Sequence, residues 1–401
     1  MNILYIHQYF VTPNEPGGTR SYWISKELIK RGHHVTMITA SKDKSGHYDI
    51  DGIDVIYVKN IYTNSMTKLQ KVMSFVKFIF QSISVAAKQK NVDLVYATST
   101  PLTIGAIALA LRNLKGWRYV FEVRDLWPEF PIQIGVVKNP ALIWLLRRFE
   151  KRIYKRSEHV VALSPGMQEG VVKAGTPIEK TSMIPNMSKP DIFYPHETNM
   201  DIVRQFNIDL TKFNVIHFGS MGVANGLDYI IKAAIELKKK GDNSIQFLFM
   251  GSGATLPLLE EMVKKNDLRN VRFLGNYKVR IVAEVTNCCD ASITSFKNLP
   301  ILATNSPNKL FDSLSAGKPI IVNSAGWTKD LVENENCGFY VDSEKPKMLA
   351  DKLLEYKDNT QLLKQWGENA RRLSIEVYDK SKLSAQVADV LEATYSKISN
   401  L

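Results

Sequence analysis

Lys309 and Asp312 stand three residues apart in the stretch SPNKLFDSLSAGKP (306–319), so on a helix a cation and a carboxylate share one face. The stretch is punctuated as a short helix: Ser306 reads as its N-cap, Pro307 suits the first turn, and Gly317 with Pro319 ends it. Lys309 then falls in the first turn. A helix N-terminus already carries about half a positive charge, and a cation beside it is unfavourable by a few tenths of a kcal/mol. A bound phosphate would neutralise both charges at once, with Ser306, Pro307 and Asn308 lying alongside it. Asp312, one turn deeper, is placed to accept from sugar hydroxyls, while Leu310, Phe311 and Leu314 point to a core. The competing reading is a solvated Lys–Asp pair on an exposed face.

Three glycine loops offer related chemistry. Gly17, Gly18, Thr19 and Arg20 lead from the first apolar run into a helix carrying Tyr22, Ile24, Leu28 and Ile29. Paired glycines let backbone N–H groups approach an anion at a helix N-terminus, and Arg20 adds charge; glycines placed for turn geometry alone are the alternative. Gly219, Ser220 and Met221 in GSMG, and Gly251 in GSGA, follow apolar runs and precede helices. No acid is placed for a ribose as in a dinucleotide fingerprint, which disfavours NAD. Arg124 and Asp125, in the loop EVRDLWPE, complete the charged set.

What must position these residues shows in the rhythm of the chain. In the first half, apolar runs (NILYIHQYF, HVTMITA, DVIYVK, DLVYATS, YVFEV, HVVALS) alternate with helical stretches near 20–31, 68–90, 101–114, 140–157 and 165–174. The second half repeats the pattern with NVIHFGS, IQFLFMG, VRFLG, ASITSF, PIIVN and GFYV, and helices near 226–240, 255–266, 279–287, 307–316 and 346–357. Such alternation predicts an α/β protein with one doubly wound parallel sheet per half, ligands sitting at the carboxyl ends of the strands. The Pro-rich polar segment 183–196 divides the chain into domains 1–185 and 197–380 joined by a linker, 186–196. A final helix, 381–398, is expected to pack back on the first domain.

The 401 residues suffice for two domain cores, and 45% hydrophobic with 23% charged residues excludes a disordered chain. Three cysteines, two of them adjacent (Cys288 and Cys289), make neither a disulfide framework nor a metal site and fit a reducing compartment. The opening apolar run lacks a basic region and a cleavage site, so it reads as a strand, and no run reaches the ~18–20 residues of a membrane span. A cytoplasmic protein is expected. Its net charge of +12 asks for nucleic acid, an anionic membrane face or phosphorylated substrates as partners.

These residues also carry a resemblance. The GGTR loop, VRDLWPE, the IPN motif and the SPNKLFDSLSAGKPIIV block are similar to retaining nucleotide-sugar glycosyltransferases of the GT-B fold, over nearly the whole chain. They look most like the family-four branch that builds bacterial O-antigen and capsule repeat units, L-fucosamine transferases included. The resemblance implies two Rossmann-like domains facing an interdomain cleft, the N-terminal one for the acceptor and the C-terminal one for a UDP-sugar. It implies no cofactor, no metal, and retention by same-face attack. The family's Glu-x7-Glu motif falls on Thr304 and Asp312: the second acid, which holds the ribose, is kept as the shorter Asp, and the first is lost. Where the family often has an Arg and a Lys for the diphosphate, Ser220 and Asn225 stand, which puts more weight on Lys309. The His of many relatives matches Arg124, Tyr277 falls near the nucleobase, and Asp125 and Glu129 are candidates for orienting the acceptor. In such a reaction negative charge grows on the departing diphosphate, which Lys309, Arg20 or Arg124 would meet.

Positive charge is densest in 140–157, where Leu142, Leu146, Phe149 and Ile153 make an apolar stripe beside Arg147, Arg148, Lys151, Arg152, Lys155 and Arg156. The stretch 68–90 is more apolar and lysine-flanked, with Phe75, Phe78 and Phe80 turned to more than one side, and reads equally as a core helix. Together they suit an anionic inner membrane leaflet and a polyprenyl-diphosphate-linked acceptor, with Arg147, Arg148, Lys151 and Arg152 at the membrane. The protein would then sit peripherally on the inner face of the bacterial cytoplasmic membrane. Two rivals stay open: a GT-B nucleotide-sugar epimerase, and a basic nucleic-acid-binding protein, although no groove-reading helix pair, stacking sheet or RNA motif is present.

Overall fold

The computed structural model describes residues 1–15, 17–61 and 66–400; Pro16 of the first glycine loop and the side chain of Lys68 lie outside the described residues. The chain divides into two units, one of Met1–Pro13, Gly17–Pro185 and Lys380 onward, the other of Asn186–Asp379 with Asn14 and Glu15.

In the first unit β1 (Asn2–Ile6) leads to α1 (Arg20–Lys30), β2 (His34–Ser41), β3 (Gly46–Ile50) and β4 (Ile53–Lys59). Next come α2 (Lys68–Ala86), β5 (Leu94–Thr98), α3 (Ile104–Lys115) and β6 (Tyr119–Val123). Then follow α4 (Glu129–Gln133), α5 (Pro140–Arg156), β7 (His159–Ala162), α6 (Pro165–Lys173) and β8 (Thr181–Met183). The strands line up as β3-β4-β2-β1-β5-β6-β7-β8, parallel except where β3 meets β4. β5 and β6 are buried throughout and β1 along all but its first residue. Strands covered by helices on both faces must be apolar on both, which is why they read as unbroken hydrophobic runs.

The second unit runs α7 (Met200–Phe206), β9 (Phe213–Ser220), α8 (Asp228–Lys239), β10 (Ile245–Ser252), α9 (Leu256–Lys265) and β11 (Val271–Gly275). It continues with α10 (Val279–Asn287), β12 (Ala291–Thr294), α11 (Asn308–Ser315), β13 (Ile320–Val322) and α12 (Trp327–Asn334). β14 (Gly338–Tyr340), α13 (Pro346–Tyr356) and α14 (Thr360–Glu376) close it. Its sheet, β11-β10-β9-β12-β13-β14, is parallel throughout. Phe247, Phe249, Ile230, Ile231 and Leu237 build the core under one face, and Phe193, Phe206, Ile216 and Leu248 the core under the other. The last helix, α15 (Lys380–Ser399), belongs to the first unit: Leu383, Val387 and Leu391 are buried, and Arg31 after α1 meets Asp389 at 2.6 Å and Glu392 at 2.9 Å.

Two helices depart from their expected facing. α5 buries Glu150, Ile153 and Tyr154, but Leu142 of the expected apolar stripe is exposed, as are Trp144 and Leu145. α2 is turned the wrong way for a core helix. Its buried row is Ser74, Phe78, Ser82 and Ala86, whereas Leu69, Val72, Met73, Val76 and Phe80, all on one helical face, are 44–69% exposed.

Candidate functional site

β9 has β10 on one side and β12 on the other, so the winding of the second sheet reverses there. Doubly wound sheets take their ligands beyond the carboxyl ends of strands at such a reversal. The segments at that point are 219–226 after β9 and 295–307 after β12, the latter leading into α11. α11 begins at Asn308 with Pro307 in the cap position and no side-chain cap, which corrects the reading of Ser306 as N-cap. The Ser306 hydroxyl instead accepts from the backbone N–H of Asn186 (3.1 Å), and the Ser306 carbonyl accepts from the Asn186 amide (2.5 Å). Ser188 Oγ donates to the carbonyl of Phe311 (3.0 Å) and Lys189 N–H to Ser315 Oγ (3.0 Å). The segment expected as a linker is thus fastened along α11 and fixes where its first turn points.

Lys309 is half-buried at the second position of α11. Its ammonium donates to Asn225 Oδ1 (3.1 Å) and to His217 Nε2 (3.3 Å), and no carboxylate contacts it among the described residues. Burial pushes its pKa down to about 7. His217, on β9 and fully buried, is held well below the usual histidine range by burial and then by Lys309, against the carbonyls of Ile293 and Ser220. The shared Lys–Asp pair on the helix surface is not formed. Asp312 turns instead to Lys189, whose ammonium lies 2.9 Å from Oδ1 and 3.2 Å from Oδ2, the latter alone with hydrogen-bond geometry. Burial raises the Asp312 pKa, and Lys189 opposes the rise.

The glycines around Lys309 are set by backbone crowding. Gly219 and Gly251 are opposite each other in the β9–β10 register, and a Cβ on Gly251 (φ +143°) would run into the carbonyl of Gly219. Met221 N–H donates to the Ser252 carbonyl (2.8 Å), and Thr255 Oγ1 donates to the Met221 carbonyl (2.6 Å), joining the two glycine loops. Ser220 is exposed at the mouth of this arrangement. Tyr277 is 39% exposed and packs its edge on Phe206, with ring centroids 5.1 Å apart. Thr304 Oγ1 donates to the carbonyl of Ile301 (2.8 Å), one short helical turn before α11.

In the first unit the charged loop residues fare differently. Arg20 is 1% exposed: its Nε donates to Glu122 Oε1 (2.6 Å), and its other nitrogens donate to the carbonyls of Pro185 and of Ile184 (3.1 Å). It is therefore turned away from the anion-binding role expected of it: the guanidinium is buried, its charge is met by a wholly buried Glu122, and two carbonyls take further donors. Gly17, exposed with φ +138°, Gly18 and Thr19, whose hydroxyl accepts from Trp23 Nε1 (3.1 Å), remain as a loop without that cation. Arg124 reaches His7 Nε2 (3.1 Å), and His7 Nδ1 meets Ser21 Oγ (2.8 Å). Asp125 accepts from Thr100 Oγ1 (3.0 Å); burial raises its pKa, with Thr100 and Arg124 opposing. Glu129 pairs at the surface with Arg147 at 2.7 Å. His217, Lys189 and Asn186 escaped the sequence reading; the one legible signal was an imidazole standing alone in the apolar run NVIHFGS. Among the described residues no group of three or more His, Cys, Asp or Glu is gathered to hold a metal, and no helix is long and apolar enough to cross a membrane.

Residues 17–187 match the glycosyl transferase 4-like domain, and residues 199–373 match the glycosyl transferases group 1. The chain is 22% identical over 282 residues to the probable glycosyltransferase WbjE of Pseudomonas aeruginosa, covering 69% of this chain and 68% of that protein. It is 24% identical over 257 residues to the alpha-galactosylglucosyldiacylglycerol synthase of Streptococcus pneumoniae, covering 62% of this chain and 65% of that protein. In fold it is similar to sucrose-phosphate synthase from Thermosynechococcus elongatus, with a TM-score of 0.81, 16% identity and 99% of both chains covered. HepE of Anabaena, in complex with UDP and glucose, gives a TM-score of 0.73 at 17% identity, covering 98% of this chain and 99% of that one. Structures so distant in sequence speak for the fold alone.

Proposed function

The chain belongs to the glycosyltransferases of the GT-B fold, and from that premise we propose a donor, an acceptor and a place of work for it. It moves a sugar, an N-acetylated aminodeoxysugar, from UDP to a saccharide carried on a polyprenyl diphosphate, as in O-antigen or capsule assembly. The observation that carries the donor assignment is the state of Lys309: an ammonium held by two neutral acceptors, without a carboxylate among the described residues, beside a helix start that no side chain caps. A diphosphate supplies the negative charge that both features lack. UDP is chosen because HepE, similar in fold, was solved with it. A lipid-borne acceptor is in keeping with the Streptococcus pneumoniae relative, whose name is that of a diacylglycerol-lipid synthase.

In the reaction we assign, the bond from the sugar's anomeric carbon to phosphate oxygen breaks and a bond to the acceptor oxygen forms on the same face. The acceptor's proton passes to the departing phosphate. Lys309, the first amides of α11 and the Gly219, Ser220 and Met221 loop hold the charge that grows on the diphosphate, without a metal. Asp312, whose Oδ1 lacks a directed hydrogen bond, takes the ribose, and Tyr277 flanks the base. Arg124 and Asp125 orient the acceptor.

The membrane assignment rests on α2 and α5, both of which pack on α3. The outward apolar face of α2 belongs to a helix whose charged residues are all lysines. On α5, which packs on the same α3, Trp144 and the Arg147, Arg148, Lys151 and Arg152 rows are exposed. Apolar side chains that enter the headgroup boundary beside cations that meet anionic lipid describe an interfacial helix. We place the protein peripherally on the inner face of the cytoplasmic membrane.

A thermal-shift panel of nucleoside diphosphates tests the donor reading. UDP should stabilise the wild type more than GDP or ADP does, and Lys309→Ala, folded by circular dichroism, should lose most of the shift. An unchanged shift in the variant removes Lys309 from the site.

A further inference from the structure

We propose that His217 and Asn225 are positioning residues of the anion site: they hold the Lys309 ammonium over the loop after β9, and the site takes up a proton as a diphosphate enters. This rests on the reading of Lys309 as the diphosphate cation.

The geometry is specific. His217 Nδ1 lies 3.2 Å from the carbonyl of Ile293, so that nitrogen carries the ring proton and Nε2 presents a lone pair. Lys309 Nζ sits 3.3 Å from that lone pair and 3.1 Å from Asn225 Oδ1, on two different segments, which uses two of its three N–H donors. Its Cε passes 3.7 Å from where a Cβ on Gly219 would be, so the side chain lies along the glycine loop rather than in solvent. Asn225 occupies a place where a cation was expected from resemblance; here it accepts from the Lys309 ammonium.

Both acceptors are neutral, and this sets the proton inventory. Facing Lys309 are His217 from β9, Asn225 from the following turn and the carbonyl of Ile293 from β12 on the far side of the imidazole. On α11 itself Asp312 is taken by Lys189, and Lys297, beside Gly226, is exposed. Among the described residues no anion contacts this ammonium to offset its burial, and burial holds its pKa down to about 7. A diphosphate arriving within contact favours the charged form, so binding above neutral pH must draw a proton from solvent. The first unit contains the same device with a guanidinium in place of the ammonium: His7, fixed through Ser21, accepts from Arg124.

The test is calorimetric titration of the full chain with UDP at pH 8, in buffers of different ionisation enthalpy. UDP is fully ionised there, its last phosphate proton leaving near pH ~6. The wild type should take up between roughly half and one proton per UDP, and Lys309→Arg should bind with almost none. His217→Leu should weaken UDP about tenfold at pH 8 and markedly less at pH 6.5, with His217→Gln, which restores an acceptor, recovering most of the loss. Equal uptake by wild type and Lys309→Arg, or a His217→Leu loss that does not vary with pH, overturns the proposal while leaving Lys309 a ligand. Absence of UDP binding by the wild type removes the donor reading itself.

Discussion

The Lys189 ammonium lies 2.9 Å from Oδ1 of Asp312, and both residues are buried. Among the described residues neither forms another ion pair, so each makes the other tolerable. Removing one member of a buried pair leaves an uncompensated charge and costs about 3–5 kcal/mol. Lys189→Met should therefore destabilise the protein by about that amount, and Lys189→Met with Asp312→Asn should recover much of it. The pH dependence has a definite sign. Asp312's folded-state pKa is already raised, so its protonated form favours folding and that contribution is lost as pH rises through the raised value. Without Lys189 the rise is larger, and the deficit of Lys189→Met should be smaller at pH 5 than at pH 8 in urea unfolding.

Arg20 makes a different prediction from the one its sequence position invites. Its guanidinium ties Glu122 on β6 to the carbonyls of Ile184 and Pro185, just before the chain passes to the second unit. Arg20→Met should lower stability by about 3–5 kcal/mol, and adding Glu122→Leu should return most of it. UDP affinity of the folded Arg20→Met protein, measured by titration, should stay within about twofold of wild type, since the guanidinium is 1% exposed and turned onto Glu122 and two carbonyls.

What could be read from sequence follows from how far each interaction reaches along the chain. The two doubly wound sheets were legible because parallel strands buried on both faces are written as apolar runs. α11 was legible from Pro307 and Gly317, which act on their own neighbours. β3 was missed because its residues GHYDI form an exposed edge strand with no apolar run, although Asp51-Gly52, both at positive φ, is a hairpin signal that was there to be used. α14 was missed partly because Gly367 interrupts its pattern; the glycine is needed where a Cβ would strike the backbone of Gly317. The site residues went astray for a longer-range reason. Ser306 is claimed by Asn186 and Arg20 by Glu122, each more than 100 residues away, and local spacing holds no trace of either partner.

Lys309 should reveal itself in stability as well as binding. Its folded-state pKa of about 7 lies below the ordinary 10.5, so the unfolded chain binds the proton more tightly. The penalty of holding that charge is fully present below about pH 7 and fades as pH rises toward the unfolded value. Lys309→Met should therefore melt higher than the ligand-free wild type at pH 6.5, and the gap should narrow by pH 9.5. With saturating UDP the order should reverse, because only the wild type gains binding free energy from the anion. A gap independent of pH would mean that the charge on Lys309 is not what burial strains.

The outward face of α2 gives the remaining prediction. A stripe periodicity says that a helix has two faces, not which one is inside, and here Ser74 and Ser82 are turned in while Val72, Met73 and Phe80 are turned out. Ser74 Oγ donates to the carbonyl of Ile61 (2.9 Å), so the inward turn of Ser74 is built into the fold. Replacing exposed apolar groups by polar ones costs a folded domain little in water, within about 0.5 kcal/mol each. Val72→Ser, Met73→Gln and Phe80→Ser combined should leave the melting temperature nearly unchanged. If the face enters a bilayer, the same triple variant should lose at least about tenfold in binding to vesicles containing anionic lipid. Arg147→Gln, Arg148→Gln, Lys151→Gln and Arg152→Gln together should weaken vesicle binding chiefly at low salt, as screened charges must. A triple variant that co-sediments with anionic vesicles as well as wild type would remove α2 from the membrane contact.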